Sequence, residues 1–203
     1  MATQLVYLAS QSPRRRELLT QVGVLYEILA LDGEGEASGV DETPHPDEPP
    51  AEYVQRVARA KAAVGWDRVR TERMRACPLL AADTTVAVGS RILGKPRSAR
   101  EAEHMLQVLS GRTHQVYTAV AMAWNDRIEV ALSQSNVTMR ALSKAEIARY
   151  VGTGEPMDKA GAYAVQGRAA VFIERIEGSY TGVMGLPLYE TANLLSGAGL
   201  VLL

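Results

Sequence analysis

The chain has 203 residues, 47% of them apolar and 22% charged, with a formal net charge of −1. These are the proportions of a soluble globular chain with core enough for one sizeable domain, and they exclude a protein that grasps polyanions through an overall basic field. A single cysteine, Cys77, excludes an intrachain disulfide, and the scarcity of Phe and Trp argues against a stacking platform for single-stranded nucleic acid.

The chain starts with a buried strand over Gln4 to Ala9, "QLVYLA". This run is too short for a secretory signal, and its arginines follow it where they should precede it. No apolar stretch approaches the roughly 20 residues of a membrane span, so a cytoplasmic protein is expected. Ser12 and Pro13 read as N-cap and first residue of a helix closed by Gly23. A second strand covers 24–30. The stretch "LDGEGEASGVDETPHPDEPP" is acidic and rich in Gly and Pro, and reads as a loop. A helix follows from about Pro50 to Gly65, then a strand over 79–88 that Gly89 turns toward "RILGKP". "SARE" and "SKAE" have the form of capping boxes and start helices at about 99–109 and 144–152. Between them lie two long strands joined at Asn125-Asp126, a hairpin signal. "GAYAVQG" and "AAVFIERIEG" read as short strands, and "LPLYETANLLSGAG" as a last helix closed by Gly197. The pattern is mixed α/β, with parallel and antiparallel strands.

A few residues fit poorly into a purely structural account. Arg14, Arg15 and Arg16 open a helix, where the macrodipole already places positive charge. Strand, Ser-containing turn and helix N-terminus is an arrangement that binds phosphate, and arginine adds bidentate forks. A solvated charged face is the competing reading. Lys61 falls on the apolar stripe of its helix with Val54, Val57 and Ala58, so it either snorkels to the rim or enters a cleft. Asp83 interrupts an apolar strand, which is costly unless the carboxylate is paired, hydrogen-bonded or on a metal. Lys95 and Gln166 say little alone. The loop acids are solvated charge by default, but two carboxylates with phosphate oxygens make a hard-ligand set for Mg²⁺ or Mn²⁺. The three histidines have no zinc spacing.

Together these stretches resemble the Maf family of nucleoside triphosphate pyrophosphatases. "SQSPRR", "VDET", "ARAKA", "AADTTV", "LGKP", "LSGRTHQVYTAV", "GEPMDKAGAYAVQG" and "GLPLYET" follow in that family's order over nearly the whole chain. The resemblance implies one Maf-like domain over 1–203, with a mixed twisted sheet, flanking helices and two lobes around a central cleft, as in inosine triphosphate pyrophosphatases. It implies metal-dependent hydrolysis of a nucleoside triphosphate to monophosphate and pyrophosphate, with Mg²⁺ or Mn²⁺ as cofactor. Ser12, Arg14 and Arg15 match the phosphate signature. Glu42, Lys61, Asp83 and Lys95 match the charged catalytic set, with Glu42 and Asp83 as metal ligands and Asp83 as proton acceptor. Arg14, Thr84 and Gln166 match positions linked to nucleotide choice, and "DKAGAYAVQG" resembles the branch acting on dTTP and UTP. The loop over Asp32 to Val40 departs from the family by its length, so Glu36 and Asp41 compete with Glu42 as the loop acid. A homodimer would be unsurprising in that family. No nucleic acid or membrane partner is expected. The rival readings are a pyrophosphatase of the same family with another base preference, and a nucleotide-binding regulator of cell division without turnover, which would keep the arginines and not need Asp83.

Overall fold

The computed structural model describes residues 5–31 and 39–202. Strand β1 (Leu5–Leu8) pairs in parallel with β2 (Leu25–Ile28) and β3 (Leu79–Val88). Val6, Tyr7 and Leu8 are all buried, as expected for a parallel strand covered on both faces. Helix α1 (Pro13–Gln21) follows β1, with Ser12 at the N-cap position and Pro13 inside it. Gly23, at φ 73°, closes the helix as read from sequence. Ser12 makes no side-chain cap bond.

Helix α2 (Pro50–Thr71) runs through Gly65 instead of stopping there. A Cβ at Gly65 would lie 2.8 Å from Leu79 Cδ1. The glycine therefore lets the helix lie close on β3, against a propensity cost of about 1 kcal/mol. Strand β4 (Arg91–Leu93) pairs with β3, and α3 (Ala99–Leu109) follows. The long strands β5 (Thr113–Trp124) and β6 (Arg127–Met139) form the expected hairpin. Asn125 and Asp126 both take positive φ, 49° and 59°, the twist-matching conformation of a two-residue turn. Then come α4 (Lys144–Val151), β7 (Ile173–Glu177), α5 (Tyr180–Met184) and α6 (Leu188–Gly197). The strands form one seven-stranded mixed sheet in the order β2-β1-β3-β5-β6-β7, with β4 added on β3. The expectation of a mixed α/β sheet with flanking helices is borne out.

Strand periodicity sorts the core. Leu79 and Ala81 of β3, with Ala119 and Ala121 of β5, face α2. The alternate residues Leu80, Ala82, Val120 and Met122 face the opposite side and pack on α1 and α6. Farther along the same strands, Val86, Val116 and Val137 join a third cluster with α3 and α4. Asp83, Thr84 and Thr85 sit on β3 between these clusters.

Several local expectations need correction. Ser143 completes a reciprocal capping box with Glu146. Ser98 accepts from Glu101 N, but the Glu101 carboxylate accepts from Arg97 N instead of closing the box. Residues 161–167 form a 3-10 turn and a bend, not a strand, because Gly161 at φ 68° breaks the extended path. The stretch 169–178 begins as a 3-10 turn, Arg168–Phe172, and only then becomes β7. Helix α5 was not foreseen. Gly197 is the last residue of α6, and the left-handed glycine after it is Gly199.

Candidate active site

A cleft of about 730 Å³ opens where these clusters meet at mid-sheet. Ser12, Arg14, Arg15, Glu42, Lys61, Asp83, Thr84, Lys95 and Gln166 all line it. The structure thus brings these nine residues together, while Arg16 and Asp41 do not line the cleft and Glu36 lies outside the described residues.

Alternation along β3 explains the layout. Asp83 shares the parity of Leu79 and Ala81, so its carboxylate faces α2 and meets Lys61. Lys61 Nζ donates to Asp83 Oδ1 at 2.8 Å and stands 3.2 Å from Glu42 Oε1. The ammonium is largely buried and bridges two carboxylates; it enters the cleft and does not snorkel. Thr84 has the opposite parity and faces α1. Arg15 Nη2 donates to Thr84 Oγ1 at 3.3 Å, Nη1 to Ser10 Oγ at 3.1 Å and Nε to Gly185 O at 2.7 Å. Burial pulls the Arg15 guanidinium below its ordinary pKa, opposed by the nearby Asp83 charge. Arg15 thereby ties α1, β3 and the end of α5 together.

Thr118 Oγ1 lies 3.0 Å from Thr84 Oγ1 and 2.7 Å from Gly182 O. Thr118 Oγ1 is the donor in both contacts, its one proton shared between the carbonyl and Thr84, so Thr84 Oγ1 accepts from Arg15 and from Thr118. The Thr84 oxygen is therefore occupied inside the protein. Arg14 is freer: Nη1 donates to Asp158 Oδ2 at 3.4 Å, across an ion pair exposed on the Asp158 side. Lys95 is exposed at the rim. Gln166 is exposed on a turn, Gly167 N donating to Ala164 O at 3.1 Å.

Helix α2 also positions the loop acid. Tyr53 donates its hydroxyl to Glu42 O at 2.9 Å. Arg56 donates to Asp41 O and Thr43 O, each at 2.9 Å, and pairs with Glu48 at 2.6 Å. The Arg56 hydrogen bond pulls the Glu48 carboxyl down to about 2. Asp41 turns away from the cleft: its Oδ1 accepts from Thr43 N at 2.8 Å, which lowers its pKa. Glu42 is thus the loop acid in the cleft among the described residues; Asp32, Glu34 and Glu36 lie outside them.

Sequence reasoning missed the clamp by Tyr53 and Arg56. It also missed Asp158 and Lys159 on the cleft wall. Burial raises the Asp158 pKa, but bonds from Lys159 and the Arg14 charge outweigh it and hold the carboxyl below its ordinary value. Both residues stood inside the quoted stretch "GEPMDK", the one signal available for them.

The fold and the cleft define a class: a mixed-sheet α/β protein with a cationic cleft at mid-sheet and a lysine-bridged carboxylate pair inside it. Residues 5–198 match the Maf-like protein family, and the chain belongs to that family. It is 54% identical over 196 residues to the dTTP/UTP pyrophosphatase of Aromatoleum aromaticum, covering 96% of this chain and 95% of the relative. It is 55% identical to that of Cupriavidus metallidurans, covering 98% of both chains. The dTTP/UTP pyrophosphatase of Nitrosomonas europaea is 50% identical over 196 residues. Among solved structures, the Staphylococcus aureus Ham1 protein shares the fold at a TM-score of 0.53 and 15% identity, over 96% of this chain and 99% of that one.

Proposed function

We propose that this chain is a dTTP/UTP pyrophosphatase, cleaving the α–β phosphoanhydride to give a nucleoside monophosphate and pyrophosphate. The observation that carries the reading is the Glu42–Lys61–Asp83 bridge in a cleft whose rim holds Arg14 and Lys95. Relatives that match almost the whole chain at 50–55% identity bear the same activity in their names.

The donor set fits a divalent ion. Glu42 and Asp83 converge on one ammonium, so two hard carboxylates lie within a single cation's reach. Among the described residues no third His, Cys, Asp or Glu completes a cage. That suits Mg²⁺ or Mn²⁺, which take one or two carboxylates and fill the remaining positions with water and phosphate oxygens. Bound there, the ion would neutralise phosphate charge and polarise the α-phosphate.

The chain's own residues carry the remaining chemistry. Asp83 accepts the proton of the attacking water, or orients it. Arg14, Lys61 and Lys95 hold the pyrophosphate as charge grows on its bridging oxygen. Arg15 keeps the Ser10–Ser12 turn against β3 and adds its charge at short range. Ser12 donates to a phosphate oxygen, and no covalent intermediate is needed. Gln166 reads the base, its amide offering an acceptor and donors to the N3–H and a carbonyl of uracil or thymine. A cytoplasmic site of action fits such a substrate; no helix among the described residues is long and apolar enough to cross a membrane.

The test is a nucleotide panel with Mg²⁺ or Mn²⁺ and phosphorus NMR of the products. Pyrophosphate with TMP or UMP is expected. Orthophosphate and a diphosphate as primary products would overturn the reading.

A further inference from the structure

The turn that carries Gln166 is held by one side chain. Glu155 opens the 3-10 turn Glu155–Asp158, which follows α4. Its Oε2 accepts from Arg168 N at 3.0 Å, and its Oε1 accepts from the Tyr150 hydroxyl at 3.0 Å. Burial, reinforced by the bond to Glu155, pushes the Tyr150 pKa up, so the hydroxyl remains a donor. Gly167 is the point of closest approach. Its φ of −100° is extended backbone, open to any residue. Yet a Cβ there would stand 2.3 Å from Glu155 Oε1. The carboxylate occupies the volume that a side chain at 167 would need, so glycine and glutamate fit each other, and the residue between glycine and Val165 is Gln166. The same four-residue turn carries Asp158, the partner of Arg14. One short segment therefore touches both the base end and the phosphate end of the cleft.

We infer that Glu155 is a positioning residue for base selection: it clasps the 164–168 turn so that Gln166 meets the pyrimidine edge in one orientation. The inference rests on the proposed reading of Gln166. Glu155 touches no substrate atom and acts through the turn.

The measurement is kcat/KM for UTP and CTP, with the inhibition constant of inorganic tripolyphosphate as a probe of the phosphate end alone. In Glu155→Ala the UTP to CTP ratio should fall roughly ten- to a hundredfold, the scale of an ångström-sized misplacement. Tripolyphosphate inhibition should be unchanged. Glu155→Gln keeps an acceptor for Arg168 N and should retain most of the ratio, which also guards against a folding defect in the alanine variant. Gly167→Ala should reproduce the loss, and adding it to Glu155→Ala should cost nothing more, because the methyl then has room. An unchanged ratio in Glu155→Ala overturns the inference. So does an equal loss for UTP, CTP and tripolyphosphate, the mark of a merely structural role. A wild type indifferent to UTP and CTP defeats the base reading at Gln166 and this inference with it.

Discussion

A lysine between two carboxylates offsets one of their two charges and is at hand for a phosphate that enters the cleft. Lys61 is in that position, and Asp83 is the partner whose chemistry can be isolated. Asp83→Asn preserves shape and the oxygen that faces Lys61, but an amide cannot accept the proton. Turnover should drop about 10²- to 10⁴-fold, the usual cost of losing a general base, while calorimetric binding of tripolyphosphate persists. A near-normal rate in a folded Asp83→Asn protein would move the base elsewhere. The adjacent residue separates binding from support. The Thr84 oxygen accepts from Arg15 and from Thr118. Thr84→Val should therefore loosen Arg15 and lower efficiency evenly across nucleotides. Gln166→Glu should instead lose dTTP and UTP selectively, since an ionised carboxylate can only accept. Parallel losses across the panel in Gln166→Glu would remove Gln166 as base reader.

At the scale of elements, α2 does two jobs. Its apolar stripe seals one face of the sheet, and its polar residues fasten the loop that carries Glu42. Arg56 is the centre of that clamp, and Glu48 reports on it. The Glu48 pKa falls from 4.5 to about 2 in the folded protein because Arg56 stabilises the charged form. A depressed carboxylate contributes stability that is complete above its unfolded pKa and is lost as pH falls through the folded one. The Arg56–Glu48 pair's contribution should hold above about pH 4.5 and disappear toward pH 2, while the Arg56 bonds to Asp41 O and Thr43 O remain. Denaturant unfolding at stepped pH should show wild type losing part of its advantage over Arg56→Met across that window. An advantage that does not change between these limits would show that the Arg56–Glu48 pair contributes nothing to the folded state.

How much could be read beforehand depended on the kind of signal. Asp83 announced itself because a carboxylate in an apolar strand is expensive, and Lys61 because it broke a helical stripe. The long hairpin was legible from alternation and from Asn125-Asp126. Gly65 misled because helix termini and close helix–strand contacts both select glycine, and only the position of Leu79 distinguishes them. Arg56 was invisible because its partners, two backbone carbonyls and Glu48, all belong to a loop, whose path leaves no periodic pattern. The stretch 161–167 looked like a strand by composition, but Gly161 and Ala162 at positive φ break the extended path, and a separate turn closed by Gly167 N on Ala164 O carries Gln166.

Across the whole molecule, the cleft sits where three apolar clusters share the same strands. β3 contributes Leu79 and Ala81 to one, Leu80 and Ala82 to the second and Val86 to the third. No cluster can open without breaking strand pairing that the others use, so we expect residues 1–203 to unfold as one unit. Ligand linkage supplies the test. Tripolyphosphate at about a hundred times its dissociation constant adds roughly 2.7 kcal/mol to the folded state. For a chain of this size that raises Tm by about 5–10 °C. Because Arg14 from α1, Lys61 from α2 and Lys95 beyond β4 all line the one cleft, the whole calorimetric transition should move as one peak. In Asp83→Asn the shift should persist. A transition that splits, with only one component responding to the anion, would mean that the clusters are separable units and that the cleft is a boundary between them, not their common centre.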